Sequence, residues 1–444
     1  MLAETTATVI RISGDPNPDR RRLSPPPILA TRVHIYRVDP SAVRHCSARN
    51  TPELSLSRHV VHRMDASVST LDYDRFDVSP TRGFVPDADP LASFGSDAHP
   101  RLQTLDELAD SLPRRLEEDT LRPTLRELSA PPGALVDEMS QRELLRLYTV
   151  SGFLANAYVH KLDGPSVDSI PSGVAIPLYE STARLGRTPV LSYDGYVLYN
   201  WSRLDDSKPF TPPNVETLTR FVSLRDERWF VAVHVAIEST AGPALGAIGE
   251  AQAGVRDDDV TRVREALGRM EAALARLEGI LARMPERNAP ENYGRTFRHY
   301  LKPLTEVTYE GVPELEGPQS YRGASGAQSS LLPALDAALG VDHGDNPLVS
   351  HLRTLRKDMP PAHRAFVEAV ADGPSIRNYV TAGGDPLRRA YNDCLDRLVA
   401  FRDCHTDIVE QYLTVPLGET TGTGGTPYGA YLEMFTQDTH RALL

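Results

Sequence analysis

From Pro386 to Pro416 the chain reads PLRRAYNDCLDRLVAFRDCHTDIVEQYLTVP, with no Gly or Pro between its ends. Nothing in that interval breaks a helix. Tyr391, Leu395, Leu398, Phe401, Ile408 and Tyr412 recur at helical spacing and form one apolar stripe, with charged residues on the other faces. His405 lies on that stripe, midway between Leu398 and Tyr412. A second stripe, Val260, Val263, Leu267, Met270, Leu274, Leu277 and Leu281, follows acidic residues that suit a helix N-terminus. Ser140, with Glu143 three residues later, makes a capping-box pattern that opens a helix over 140–162. Its middle is apolar nearly all round, which predicts burial. Residues 102–118 read as a shorter amphipathic helix. In RWFVAVHVAIESTAGPALGAI the β-branched content suggests a strand, but its length and the spacing of Phe230, Val233, His234 and Ile237 predict a buried helix. The aromatic-rich PVLSYDGYVLYNW (189–201) leaves strand and helix both open.

These patterns predict an all-α protein, with a small N-terminal domain over 71–190 and a larger helical bundle over 191–444. Residues 1–70 differ from the rest. RRR at 20–22 and PPP at 25–27 sit in a stretch with little periodicity, apart from the strand-like TRVHIYRV. That composition predicts a loosely docked or disordered extension.

Composition narrows the partners. Hydrophobic residues at 40% and charged residues at 24% are ordinary for a globular chain. A net charge of −12 argues against non-specific nucleic-acid binding. No uninterrupted apolar run approaches a membrane span, and the N-terminus shows no secretory h-region. Cys46, Cys394 and Cys404 are too few for a disulfide framework and lack zinc spacing. Cys394 and Cys404 fall about 280° apart around a helix axis, so they do not face each other. A reducing cytoplasm is the expected compartment, and a monomer or weak homo-oligomer the expected state.

A His on the apolar face of a long helix has two readings. It is a core His bonded to a backbone carbonyl, or a neutral imidazole that ligates haem iron among apolar neighbours. Four further pieces bear on the choice. GASGAQSS (323–330), DMPPAHRAF, the FRDCH core of the His405 helix and GTGGT (422–426) stand in an order and spacing that resemble the indoleamine 2,3-dioxygenase family of haem enzymes. The chain is identified as a member of bacterial type. The resemblance is dense from Asn288 to Thr426 and thinner back to RGFVPDADP near Gly83; residues 1–70 are not covered.

The resemblance implies a b-type haem, O₂ and an indole such as L-tryptophan, with no separate metal. His405 falls at the proximal iron ligand. Arg402 and Asp336 fall at an Arg–Asp pair beside a haem propionate. Arg298, in RHYL, falls at the Arg that binds the substrate carboxylate. Tyr293 replaces a common Phe. Ser325 matches a loop Ser over the haem, and Gly326-Ala327 inverts the family's Ala-Gly order. Thr423 matches the residue that closes on the substrate amino group, in a stretch read as a lid. Tyr193, Tyr196 and Val197 align with the lining around the indole. The next helix aligns two ways. One places Phe230 and His234 at the stacking aromatic and the distal polar position; the other places Trp229 and Val233 there. A polar residue in so apolar a stretch needs a partner, which favours Phe230 and His234. The implied reaction is cleavage of the indole 2,3-bond to an N-formylkynurenine-type product. Insertion of one oxygen into a tryptophan or indole derivative, or non-catalytic haem sensing, are the alternatives.

Overall fold

A computed structural model describes residues 71–423 and 427–444. The extension expected over 1–70, with TRVHIYRV, lies outside the described residues, as do residues 424–426 of GTGGT. The fold is all-α. The strands are short: a three-stranded sheet of Ser169–Ile170, Leu304–Tyr309 and Gln319–Tyr321, and an antiparallel ribbon of Trp201–Arg203 with Val215–Thr217. In the sheet Ser169 pairs in parallel with Thr308, and Val307 antiparallel with Gln319.

Both halves of the capping box form at Ser140 and Glu143, and the helix they open, Gln141–Val159, is buried all round from Leu145 onward. The amphipathic segment over 102–118 is two helices, Pro100–Asp110 and Leu112–Glu117. Pro113 cannot donate to the preceding turn, so the first helix stops before it. The long apolar stretch is likewise two helices, Arg225–Thr240 and Gly242–Arg256, joined at Ala241 with Pro243 in the second's first turn. Together, Arg225–Arg256 is long and apolar enough to cross a membrane by length and composition. This corrects the reading that nothing in the chain approaches a span. With 78% of its most apolar window buried inside the protein, core packing accounts for its hydropathy.

Val260–Leu281 forms a single helix whose stripe is buried except at Val260, which is exposed. It packs against both Gly242–Arg256 and the His405 helix, Asp385–Val409. That last helix does not run straight to Pro416. It widens into a π-helical turn at Glu410–Thr414 before the short Val415–Leu417 helix. A regular turn would set the Pro416 ring against the carbonyl four residues back, and the wider turn relieves that clash.

Two hydrophobic cores result. One gathers the His405 helix, Val260–Leu281, Gly242–Arg256 and Leu331–Leu339. The other gathers Gln141–Val159, Ser172–Leu185, the turn at Asp194–Leu198 and Phe297–Leu301. Helix Arg225–Thr240 serves both. Trp229, Val233 and Ile237 enter the first core, while Val231, Ala232 and Val235 enter the second. Its third stripe, Phe230, His234 and Glu238, faces the space left between them.

Candidate active site

That space is a cavity of about 270 Å³. His405, Arg402, His234, Phe230, Tyr193, Tyr196, Tyr293, Arg298, Ser325, Gly326 and Thr423 all line it. Two residues expected at the site do not. Val197 is buried in the second core, because the turn at Asp194–Leu198 directs Tyr193 and Tyr196 to the cavity instead. Asp336 reaches the site only through Arg402. The two possible registers of helix Arg225–Thr240 separate cleanly. Phe230 and His234 are on the wall, whereas Val233 is in the core and the Trp229 indole N–H donates to the Arg283 carbonyl at 2.9 Å.

The proximal side comes from the His405 helix. Phe401, Ile408 and Val409 flank His405 on the same wall, and Leu331, Leu332, Leu432 and Phe435 continue it. Burial, with His234 and Arg402 nearby, pulls the His405 imidazole down to about 4, so it is neutral at pH 7. Among the described residues no hydrogen bond reaches its ring. Arg402 donates to Asp336 at 2.5 Å, yet its Nε is buried without a hydrogen-bond partner among the described residues. Burial alone would raise the Asp336 carboxyl, but Arg402 and His343 outweigh it and hold the group below its usual range. His343 bridges Asp336 at 3.1 Å and Asp438 at 2.9 Å, and stacks on Phe435 at 3.7 Å.

These residues fit an iron porphyrin. A neutral imidazole with no protein partner can ligate iron, apolar walls suit the flat ring, and the orphaned Arg402 Nε suits a propionate. A Cβ built on Gly326 meets nothing within 4 Å, so the loop leaves open space on the cavity. The loop itself is pinned. Ser325 accepts from the Ala327 amide, and Gln328 Oε1 accepts from the Ser325 amide at 3.1 Å and the Tyr193 amide at 3.0 Å. At Gly323 a Cβ would sit 1.9 Å from the Leu301 carbonyl oxygen, so only glycine allows that approach.

On the distal side the Phe230 and His234 rings lie 4.4 Å apart, and Phe230 stacks on Tyr293 at 5.2 Å. His234 Nδ1 is 2.8 Å from the Phe230 carbonyl. A carbonyl only accepts, so Nδ1 carries the proton and Nε2 is left with its lone pair. Burial lowers the His234 pKa and keeps the ring neutral. One turn on, Glu238 accepts from the Tyr193 hydroxyl at 2.8 Å and the Ser329 hydroxyl at 2.6 Å, with burial raising its pKa. Behind Tyr196, Glu227 accepts its hydroxyl at 3.1 Å together with the Phe221 and Val222 amides; burial pushes this carboxyl up to about 7. Neither glutamate is a site residue in the sequence reading, although Glu238 anchors the register that places Phe230 and His234 there. The available signal for Glu238 was its spacing of four from His234, which places both on one helix face.

Arg298 is held in the short turn Phe297–Leu301 with its side chain 4% exposed. Its Nη1 pairs with Glu419 at 2.6 Å, and its Nη2 donates to the Thr421 carbonyl at 3.3 Å. Thr423 donates its hydroxyl to the Ala324 carbonyl at 2.6 Å.

A family profile described as Indoleamine 2,3-dioxygenase matches residues 72–441. The chain is 31% identical to indoleamine 2,3-dioxygenase 1 of Rattus norvegicus, over 76% of this chain and 88% of that one. It is 29% identical to a 6-hydroxytryptophan 2,3-dioxygenase of Fusarium equiseti, over 80% and 88%. It is 30% identical to an indoleamine 2,3-dioxygenase of Saccharomyces cerevisiae, over 77% and 80%. With a match spanning nearly all the described residues, and the two histidines facing one cavity, the chain belongs to the indoleamine 2,3-dioxygenase family and is a haem-dependent dioxygenase acting on tryptophan or an indole.

Proposed function

We propose that the protein binds haem b through His405 and opens the indole 2,3-bond of L-tryptophan or a close derivative, giving an N-formylkynurenine-type product. The observation that carries this reading is His405: a neutral imidazole on a cavity wall with no hydrogen bond to its ring among the described residues. When bound, the haem supplies the oxygen chemistry. The chain supplies binding, orientation and dryness. Arg402, through its free Nε, holds a propionate, while Asp336 and His343 keep the guanidinium in place. Phe230 and Tyr193 flank the indole. His234, with Nδ1–H committed to the Phe230 carbonyl, offers Nε2 as an acceptor for the indole N–H and orients the ring. Arg298 takes the carboxylate and Thr423 the ammonium. Apolar walls exclude water, so each of these contacts acts at low dielectric.

One observation favours a ring-substituted tryptophan over tryptophan itself. Tyr196 lines the cavity with its hydroxyl bonded to Glu227 behind it. A hydroxyl on the benzo ring of the indole would find a partner there, and the Fusarium equiseti relative is named for a hydroxytryptophan.

The test is anaerobic reduction of the holoprotein, addition of L-tryptophan or a hydroxytryptophan with O₂, and mass spectrometry. A product two oxygen atoms heavier supports the dioxygenase reading. A product one oxygen heavier makes the protein a monooxygenase, and no O₂ consumption with any indole makes it a haem sensor.

A further inference from the structure

The group expected to bind the substrate carboxylate already has a carboxylate on it. Glu419 Oε2 lies 2.6 Å from Arg298 Nη1. The two partners are unlike. The Arg298 side chain is 4% exposed, enclosed by the cavity wall, whereas the Glu419 side chain is 40% exposed. The guanidinium cannot leave, but the carboxylate can rotate into water and be solvated there at little cost. Nor is the fork fully used. Among the described residues Arg298 Nε is buried with no hydrogen-bond partner, so Glu419 holds one nitrogen where a planar carboxylate could hold two.

The backbone that carries Glu419 is anchored independently of that ion pair. The Glu419 carbonyl accepts from the Tyr428 hydroxyl, and the Thr420 carbonyl accepts from the Tyr428 amide at 3.2 Å. Thr423 is tied to Ala324 at 2.6 Å. Leu417, just before this strap, packs so closely on Gly294 that a Cβ there would sit 2.6 Å from Leu417 Cδ1. The side chain of Glu419 can therefore exchange with another carboxylate while the strap stays in place.

We propose that Glu419 is a built-in competitor for the substrate carboxylate and so a specificity-determining residue. It neutralises Arg298 in the empty site, sparing the protein an unpaired buried charge, and an incoming amino acid displaces it. An indole amine without a carboxylate leaves Glu419 where it is, and Glu419 then balances the amine's positive charge. The same residue thus penalises L-tryptophan slightly and favours tryptamine. This rests on the reading of Arg298 as the carboxylate-binding residue.

The experiment compares wild type, Glu419→Gln, Arg298→Leu and the double variant as haem-loaded proteins. Binding of L-tryptophan and of tryptamine is measured by calorimetry, beside KM for each. Glu419→Gln is expected to tighten L-tryptophan about two- to fivefold, the range of a partly exposed ion pair, and to weaken tryptamine by a similar factor. In the Arg298→Leu background the effect on L-tryptophan should vanish. If Glu419→Gln changes neither ligand while Arg298→Leu still discriminates between them, Glu419 is no competitor and the role of Arg298 stands. If Glu419→Gln weakens L-tryptophan, Glu419 positions Arg298 instead, and the proposal fails. If Arg298→Leu affects both ligands equally, the reading of Arg298 fails and takes the proposal with it.

Discussion

Two arginines on the cavity wall are paired with carboxylates in different ways. At one end Arg402 meets Asp336, both nearly buried and both on long-range-packed helices, with His343 and Asp438 extending the chain of contacts. At the other end Arg298 meets Glu419, a half-exposed side chain on a loop, with no further partner on its carboxylate among the described residues. A resident cofactor requires a site whose cost of burying charge is met once, during folding. A substrate requires a site whose counter-charge can step aside on every turnover. On the proposed reading the first pair belongs to the architecture of the fold, and the second to the catalytic cycle.

Four substitutions test that division. His405→Ala removes the one imidazole placed to hold iron at the fixed end, and haem retention is expected to collapse while the haem-free protein keeps its helical content. Full haem occupancy with an unchanged Soret band would remove His405 from that role. Asp336→Ala strands Arg402 in the core, and breaking a buried pair from one side costs about 3–5 kcal/mol. Glu419→Ala, at the movable end, should cost less, because the carboxylate removed is 40% exposed and Arg298 keeps its bond to the Thr421 carbonyl. Urea unfolding of both haem-free variants reads the contrast directly, and equal losses would erase it. Arg298→Leu should raise KM for L-tryptophan about ten- to more than a hundredfold while sparing indoles that lack a carboxylate, since a charge-assisted buried bond contributes roughly 1.5–3 kcal/mol.

His234 lines the same cavity and sharpens the comparison. His234→Ser keeps a polar group near the indole and should lower per-haem kcat about tenfold, the scale of one orienting hydrogen bond; His234→Val should lower it further. Unchanged per-haem turnover in both variants, with only the melting temperature moved, would make His234 a packing residue.

How legible these features were depends on whether they are periodic. The capping box at Ser140, the stripe from Val263 to Leu281 and the His405 helix follow from spacing alone, because burial of one helix face imposes it. The fixed end was legible with help from the family resemblance, since Arg402 and Asp336 lie on such helices. The π-helical turn at Asp194–Leu198 was not. It is set by Asp194, which is buried, pairs with Arg187 at 2.8 Å and accepts the Tyr148 hydroxyl at 2.8 Å, and by Gly195, whose missing Cβ makes room for the Tyr148 ring. The two contacts to Tyr148 join residues more than forty apart in sequence, which no local pattern reports. Glu419 was invisible for the opposite reason. It is a lone acid in a Gly/Thr-rich stretch, with neither periodicity nor a motif to separate it from a solvated loop.

A further small effect is expected at Thr423, where the movable end meets the fixed loop. Its hydroxyl donates to the Ala324 carbonyl at 2.6 Å. A hydroxyl has one proton to give and two lone pairs to receive with. With the proton committed to Ala324, the lone pairs are free to accept from a substrate ammonium, so tying the strap and binding the amine are compatible. Thr423→Val keeps the shape and removes both bonds. The expected loss is that of one hydrogen bond, about 0.5–1.5 kcal/mol, or roughly two- to tenfold in KM for L-tryptophan. Indole-3-propionate carries the carboxylate without the amine, so its binding should change little. Thr423→Ser, which retains the hydroxyl, should restore most of the L-tryptophan affinity. Equal weakening of both ligands by Thr423→Val would show that the hydroxyl only fastens the strap to Ala324, and would leave the ammonium without a partner at this end of the cavity.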